Sequence, residues 1–136
     1  MGAGDLVVDR SIIIRVLASL PGDDPLRQRL SRTVPAPALV DAEVASVIRG
    51  LSITTKPNVR VSEGRALEML HDYAGLRIVR HRMQPLQARA FEMRHNFTAY
   101  DAMYIARAER LDLPLLTDDG KFDGIPGRHA VICRHR

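Results

Sequence analysis

"HNFTAYDAMYIARAERLDLPLLTDDG", residues His95–Gly120, reads as a helix, a short strand and a turn in close succession. Thr98 suits an N-cap, and the helix after it is apolar on almost every side through its first two turns. One carboxylate, Asp101, stands among Ala99, Tyr100, Ala102, Met103, Tyr104, Ile105 and Ala106. Such an acid is costly to bury unless something pairs with it. It shares a helical stripe with Ile105 and Ala108, which turns it inward. The apolar strand "LPLLT" follows, and helix alternating with short apolar strand is the pattern of a parallel sheet covered on both faces.

Working outward, the alternation persists. "DLVVD" reads as a short buried strand ending at Asp9, and Ser11 reads as the cap of a helix to about Leu20. "PGDDP" breaks it, and a second helix runs to about Arg32. "TVPAPAL" is extended, because its prolines forbid helix. A helix from Asp41 to about Leu51 has Asp41 as its expected cap, and another spans about Ser62 to Tyr73. "LRIVRH" is a strand, "QPLQARAFEMRH" a helix with Pro85 in its first turn, and "AVIC" a last strand beyond the turn-rich "DDGKFDGIPG".

The 136 residues suit one domain, 1–136, and the 46% hydrophobic and 26% charged fractions are those of an ordinary globular chain. No apolar run reaches the roughly 20 residues of a membrane helix, and the first residues lack the order of a secretion signal. The single cysteine, Cys133, excludes an internal disulfide and fits a reducing cytoplasm. The net charge is +4, and nearly all the basic residues are arginine, Lys56 and Lys121 being the only lysines. Arginine binds phosphate through a planar fork, so the excess points toward nucleic acid, although GC-rich coding yields the same composition. Only 4% of residues are aromatic, which argues against a base-stacking platform.

In open α/β sheets, sites gather beyond the carboxyl ends of the strands. Asp9 ends the first strand, and Thr117, Asp118 and Asp119 end "LPLLT". Glu43 and Asp101 fall in the first turns of their helices. Each position alone is open to a structural reading: first-turn acids favour the helix dipole, and Asp is common in turns. Together they pose a problem, because two unit charges ~4 Å apart repel by about 4 kcal/mol at an effective dielectric near about 20. If Asp9, Glu43, Asp101 and Asp119 meet, they need protons or a cation between them. An all-oxygen set suits a hard ion, Mg²⁺ or Mn²⁺, and no His/Cys spacing suggests zinc. The five histidines are scattered and read as surface or packing residues. There is no Gly-rich phosphate loop and no nucleophile elbow. Metal-assisted phosphodiester hydrolysis leads what remains.

The segments "VVDRS", "APALVDAEV" and "NFTAYDAMYIARAERLDLPLLTDDGKF", in that order, resemble the PIN-domain ribonucleases, specifically the VapC-type toxins of bacterial toxin–antitoxin pairs. The resemblance implies an α/β, PIN-like three-layer fold with a four- or five-stranded parallel sheet flanked by helices. It implies a metal-dependent endoribonuclease toxin, with Asp9, Glu43, Asp101 and Asp119 around Mg²⁺ or Mn²⁺. Ser11 and Thr117 would be the supporting hydroxyls. It further implies a homodimer and a small VapB-like antitoxin whose tail occupies the active-site groove. The apolar faces around Ile12, Ile13, Val16, Leu17, Leu26 and Leu30, and around Val44, Val47, Ile48 and Leu51, are offered for that groove or for the core. Arg49, Arg60, Arg94 and Arg107 are offered as RNA contacts or solvated charges.

Two positions depart from the pattern. Arg10 stands where these proteins usually carry a small residue, and could bind RNA phosphate, pair with an acid or face solvent. The paired Asp118 and Asp119 leave T-x-D to select Asp119, with Asp118 a turn residue. Two other readings keep the fold: a catalytically inactive RNA-binding or interaction module in which Arg10 spoils the metal site, and a stand-alone RNA-processing nuclease. A phospho-accepting receiver-like domain would want paired acids after the first strand, and "VVDRS" offers one.

Overall fold

The computed structural model of the chain describes residues 6–19, 22–124, 128 and 131–134. Asp5, Leu20 and Ala130, which the sequence readings include in the first strand, first helix and last strand, lie outside them. So do the "IPG" turn, His129 and His135.

Five short strands appear among the described residues: β1 (Val7–Val8), β2 (Val34–Pro37), β3 (Ile78–His81), β4 (Leu115–Thr117) and β5 (Ile132–Arg134). Every pairing is parallel. The strands form two ladders rather than one: β1-β4-β5, with β4 central, and β2-β3. β2 runs alongside β1 without joining its ladder, and the prolines supply the reason. The Val34 and Ala38 N–H groups donate to the Arg77 and His81 carbonyls, 2.8 and 2.9 Å away. The alternating residues Pro35 and Pro37 would direct their nitrogens to the other edge, where they have no hydrogen to give.

Among the described residues six α-helices cover the strands: α1 (Arg10–Ala18), α2 (Asp24–Leu30), α3 (Val40–Ile53), α4 (Glu63–Ala74), α5 (Gln87–Glu92) and α6 (Ala99–Leu111). The strand periodicity of two sorts the core. Leu6, Val8 and Leu116 join the cluster under α1, α2, α3 and α4, while Val7 and Leu115 join the cluster under α5 and α6. The register Val7↔Leu115 and Val8↔Leu116 keeps each pair on one face. Ala102, Ala106 and Ala108 are buried, and these small side chains let α6 lie close to the strands. No helix among the described residues is long and apolar enough to cross a membrane.

Two caps differ from expectation. Asp9, not Ser11, caps α1: its carboxylate accepts from the Ser11 and Ile12 amides at 3.1 and 3.4 Å. The α3 helix starts a residue earlier than expected, with Leu39 at the cap position. Asp41 points away to accept from the Tyr73 hydroxyl at 2.6 Å and from Arg80 Nη2 at 2.9 Å. Arg80 is the main reason the Asp41 carboxyl sits below the ordinary carboxylate range. The apolar faces offered for a groove are largely core: Ile12, Ile13, Val16, Leu17, Leu26, Leu30, Val44 and Ile48 are buried, while Val47 and Leu51 are half-buried.

Candidate active site

Beyond the carboxyl ends of β1 and β4, the first turns of α1, α3 and α6 bring together Asp9, Glu43, Asp101 and Asp119. Asp9 is the most enclosed, 1% exposed. Ser11 Oγ donates to its Oδ1 at 2.5 Å and Thr117 Oγ1 to its Oδ2 at 2.6 Å. Burial raises the Asp9 carboxyl above its usual range, against the opposing pull of those hydroxyls, the Ile12 amide and the Arg10 charge. Thr117 is itself fully buried and accepts from the Asp119 amide at 3.0 Å. One hydroxyl therefore links the acid that ends β1 to the acid beyond β4.

Glu43 and Asp101 meet over Arg10. The guanidinium Nη1 lies 3.2 Å from Glu43 Oε2 and 3.6 Å from Asp101 Oδ1. At the same Asp101 oxygen, Lys121 Nζ stands 3.0 Å from Oδ1 and also 3.1 Å from Asp119 Oδ2. The other Glu43 oxygen accepts from the buried Tyr104 hydroxyl at 2.5 Å. Burial pushes Glu43 up, and the Tyr104 bond and the Arg10 charge only partly counter it. Burial works against Asp119 as well, but bonds from the Lys121 amide and ammonium bring it below its usual range. Burial disfavours the charge on Arg10 and on Lys121, yet the surrounding carboxylates raise both.

These contacts explain the inward acid of α6. Asp101 is 6% exposed, and its partners are two cationic side chains. Capping is not its job, because Thr98 caps α6 by accepting from the Asp101 amide at 3.2 Å. The α-helical N-termini around the acids add favourable positive dipole ends.

Sequence patterns alone do not mark Tyr104, Lys121 and Arg15 as site residues. Tyr104 was legible as the residue one turn after Asp101, and Lys121 as one of two lysines, two residues after Asp119. Arg15 ties Asp23 at 2.9 Å to Asp118 at 3.1 Å. Asp118 thus faces away from the four acids, and its amide donates to Ser11 Oγ at 2.9 Å.

Of the arginines offered as RNA contacts, Arg49, Arg60 and Arg94 are exposed, and Arg94 lies 4.2 Å over the Phe91 ring. Arg107 is not a solvated charge but 7% exposed. Its Nη1 lies 2.9 Å from His81 Nδ1, and a guanidinium only donates, so that imidazole nitrogen accepts. Burial and the neighbouring Arg107 charge accordingly hold His81 below its usual pKa.

The donor chemistry of the site, four carboxylates and two hydroxyls, suits a hard divalent cation. Among the described residues no three His, Cys, Asp or Glu side chains form a ready cation nest. Arg10 and Lys121 stand between the acids instead.

Fold and site together define a class, and the chain belongs to the PIN-domain family, whose model matches residues 6–127. Ribonuclease VapC12 of Mycobacterium tuberculosis is 30% identical over 128 residues, covering 93% of this chain and 96% of that one. Ribonuclease VapC1 of the same species is 34% identical over 131 residues, covering 94% and 96%. Ribonuclease VapC9 is 36% identical over 115 residues, covering 84% and 85%. Among solved structures, PAE2754 from Pyrobaculum aerophilum aligns with a TM-score of 0.67 at 16% identity, over 94% of this chain and 82% of that one, a likeness of fold.

Proposed function

We propose that the chain is a divalent-metal-dependent endoribonuclease, the toxin of a VapBC-type pair, acting in the cytoplasm as one PIN domain. The observation that carries this reading is the meeting of Asp9, Glu43, Asp101 and Asp119 beyond the strand ends, bridged by Thr117, Arg10 and Lys121. Relatives named ribonucleases over nearly the whole chain support it. Asp9, Asp101, Asp119 and Glu43 would hold Mg²⁺ or Mn²⁺. When bound, the ion would lower the pKa of a water and offset charge building on the phosphate. Ser11 and Thr117 hold the Asp9 carboxylate in one rotamer, and Tyr104 does the same for Glu43. Arg49 and Arg94, both exposed, are proposed to meet RNA phosphates. A VapB-like antitoxin and a second copy of the chain complete the proposed partners, the latter tested by sedimentation equilibrium.

The test is cleavage of RNA by purified protein with Mg²⁺ or Mn²⁺. EDTA should stop it and Asp101→Asn should lower it by at least about a hundredfold, the scale of one lost electrostatic group. Inducible expression should arrest growth for wild type and not for Asp9→Ala. Asp101→Asn cutting as fast as wild type would sink the assignment. A second reading, an inactive RNA-binding module, gains from Arg10 lying between Glu43 and Asp101. It expects no Mn²⁺ heat in calorimetry while RNA binding persists with steep salt dependence.

A further inference from the structure

We infer that Arg10 takes the place of a second metal ion, so that the four acids hold one divalent cation, seated where Lys121 stands between Asp101 and Asp119, while the guanidinium stays between Glu43 and Asp101. The inference rests on the metal-dependent reading above.

The two cations in the site are held differently. Lys121 is a compact ammonium on a flexible stem, in the short 3-10 turn Gly120–Phe122. Its side chain is 35% exposed and its Nζ is almost equidistant from one oxygen of Asp101 and one of Asp119. A small hard charge at equal distance from two carboxylates stands in for a hard ion. Its stem lets it swing into water when a divalent cation arrives.

Arg10 cannot leave so readily. It is the first residue of α1, where the helix dipole disfavours a cation, and only 26% of its side chain is exposed. The carboxylates of Glu43 and Asp101 are what hold it there. A guanidinium remains charged at every accessible pH, so it is a permanent counter-ion.

The oxygens of Glu43 and Asp9 already accept hydrogen bonds as well. Glu43 gives one oxygen to Tyr104 and the other to Arg10. Both Asp9 oxygens receive hydroxyls, from Ser11 and from Thr117. A second divalent cation beside Glu43 would have to displace Arg10 from a half-buried ion pair. With Arg10 in place, its exposed N–H groups can donate to a phosphate oxygen of the substrate, as a planar fork suits.

The experiment counts ions on the RNA-free full chain. Mn²⁺ is titrated calorimetrically, with free Mn²⁺ read in parallel by electron paramagnetic resonance, for wild type, Arg10→Gln and Arg10→Ala. Gln keeps most of the side-chain volume and removes the charge, so it serves if Ala perturbs the helix start. One ion per chain is expected for wild type and two for the variants. Two ions on wild type, or one on both variants, would overturn the role of Arg10 and leave metal dependence standing. No ion on any of the three would overturn both.

Discussion

Replacing Tyr104 with Phe removes one oxygen and nothing else. The ring is fully buried between α6 and the strands, so the packing is retained. What is lost is the donation to Glu43 Oε1 at 2.5 Å. A hydrogen bond to a charged group contributes about 1.5–3 kcal/mol, and leaving the acceptor short of a partner is the larger part of that. Here Arg10 still meets the other Glu43 oxygen, and 17% of the Glu43 side chain reaches water. The loss therefore falls at the lower end, about 1.5–2 kcal/mol. For a chain of 136 residues, unfolding entropy of about 2.1 cal/mol/K per residue converts each kcal/mol into about 3–4 °C. Thermal unfolding at pH 7 should show a Tm lower by about 5–7 °C. RNA cleavage should fall as well, because Glu43 is then free to follow Arg10 alone. An unchanged Tm together with unchanged cleavage would refute the claim that this hydroxyl fixes the carboxylate.

Thr117→Val, nearly the same shape, removes both the donor to Asp9 and the acceptor of the Asp119 amide. It should cost about 2–3 kcal/mol in urea unfolding, whereas Thr117→Ser should retain most of the stability. Arg80→Ala unties Asp41, whose folded pKa is depressed chiefly by Arg80. The wild-type advantage is present above the unfolded value of about 3.9 and disappears as pH falls through the lower folded value. Since half of Asp41 faces water, that advantage is under about 1 kcal/mol, and parallel unfolding curves at pH 6 and pH 2.5 measure its disappearance. Lys121→Met removes the ammonium between Asp101 and Asp119, and Mn²⁺ affinity by calorimetry should tighten about fivefold, the equivalent of one partly exposed ion pair.

The sequence by itself determined the elements and their alternation. "LVV" and "LPLLT" are short apolar runs bounded by turn residues that suit buried parallel strands, whereas "RIV" forms a strand that buries only Ile78, and Thr98 caps its helix as its hydroxyl dictates. It also marked Asp101 as an inward acid, because a stripe shared with Ile105 and Ala108 is a property of one helix. Local chemistry misled where two groups competed for a role: Asp9 took the cap that Ser11 offered, and Asp41 left its helix end for Tyr73 and Arg80.

Only the tertiary structure decided what stands between the acids. Arg10 and Glu43 are 33 residues apart, and Asp9 and Thr117 are 108 apart. No spacing rule connects groups at that range, because their distance is set by strand register and helix packing rather than by the chain between them. The same holds for Arg107, whose sequence suits a solvated helix face and whose place against His81 is given by the packing of α6 on β2, the strand paired with β3. Charge is written in the chain, but which charge meets which is a matter of the fold.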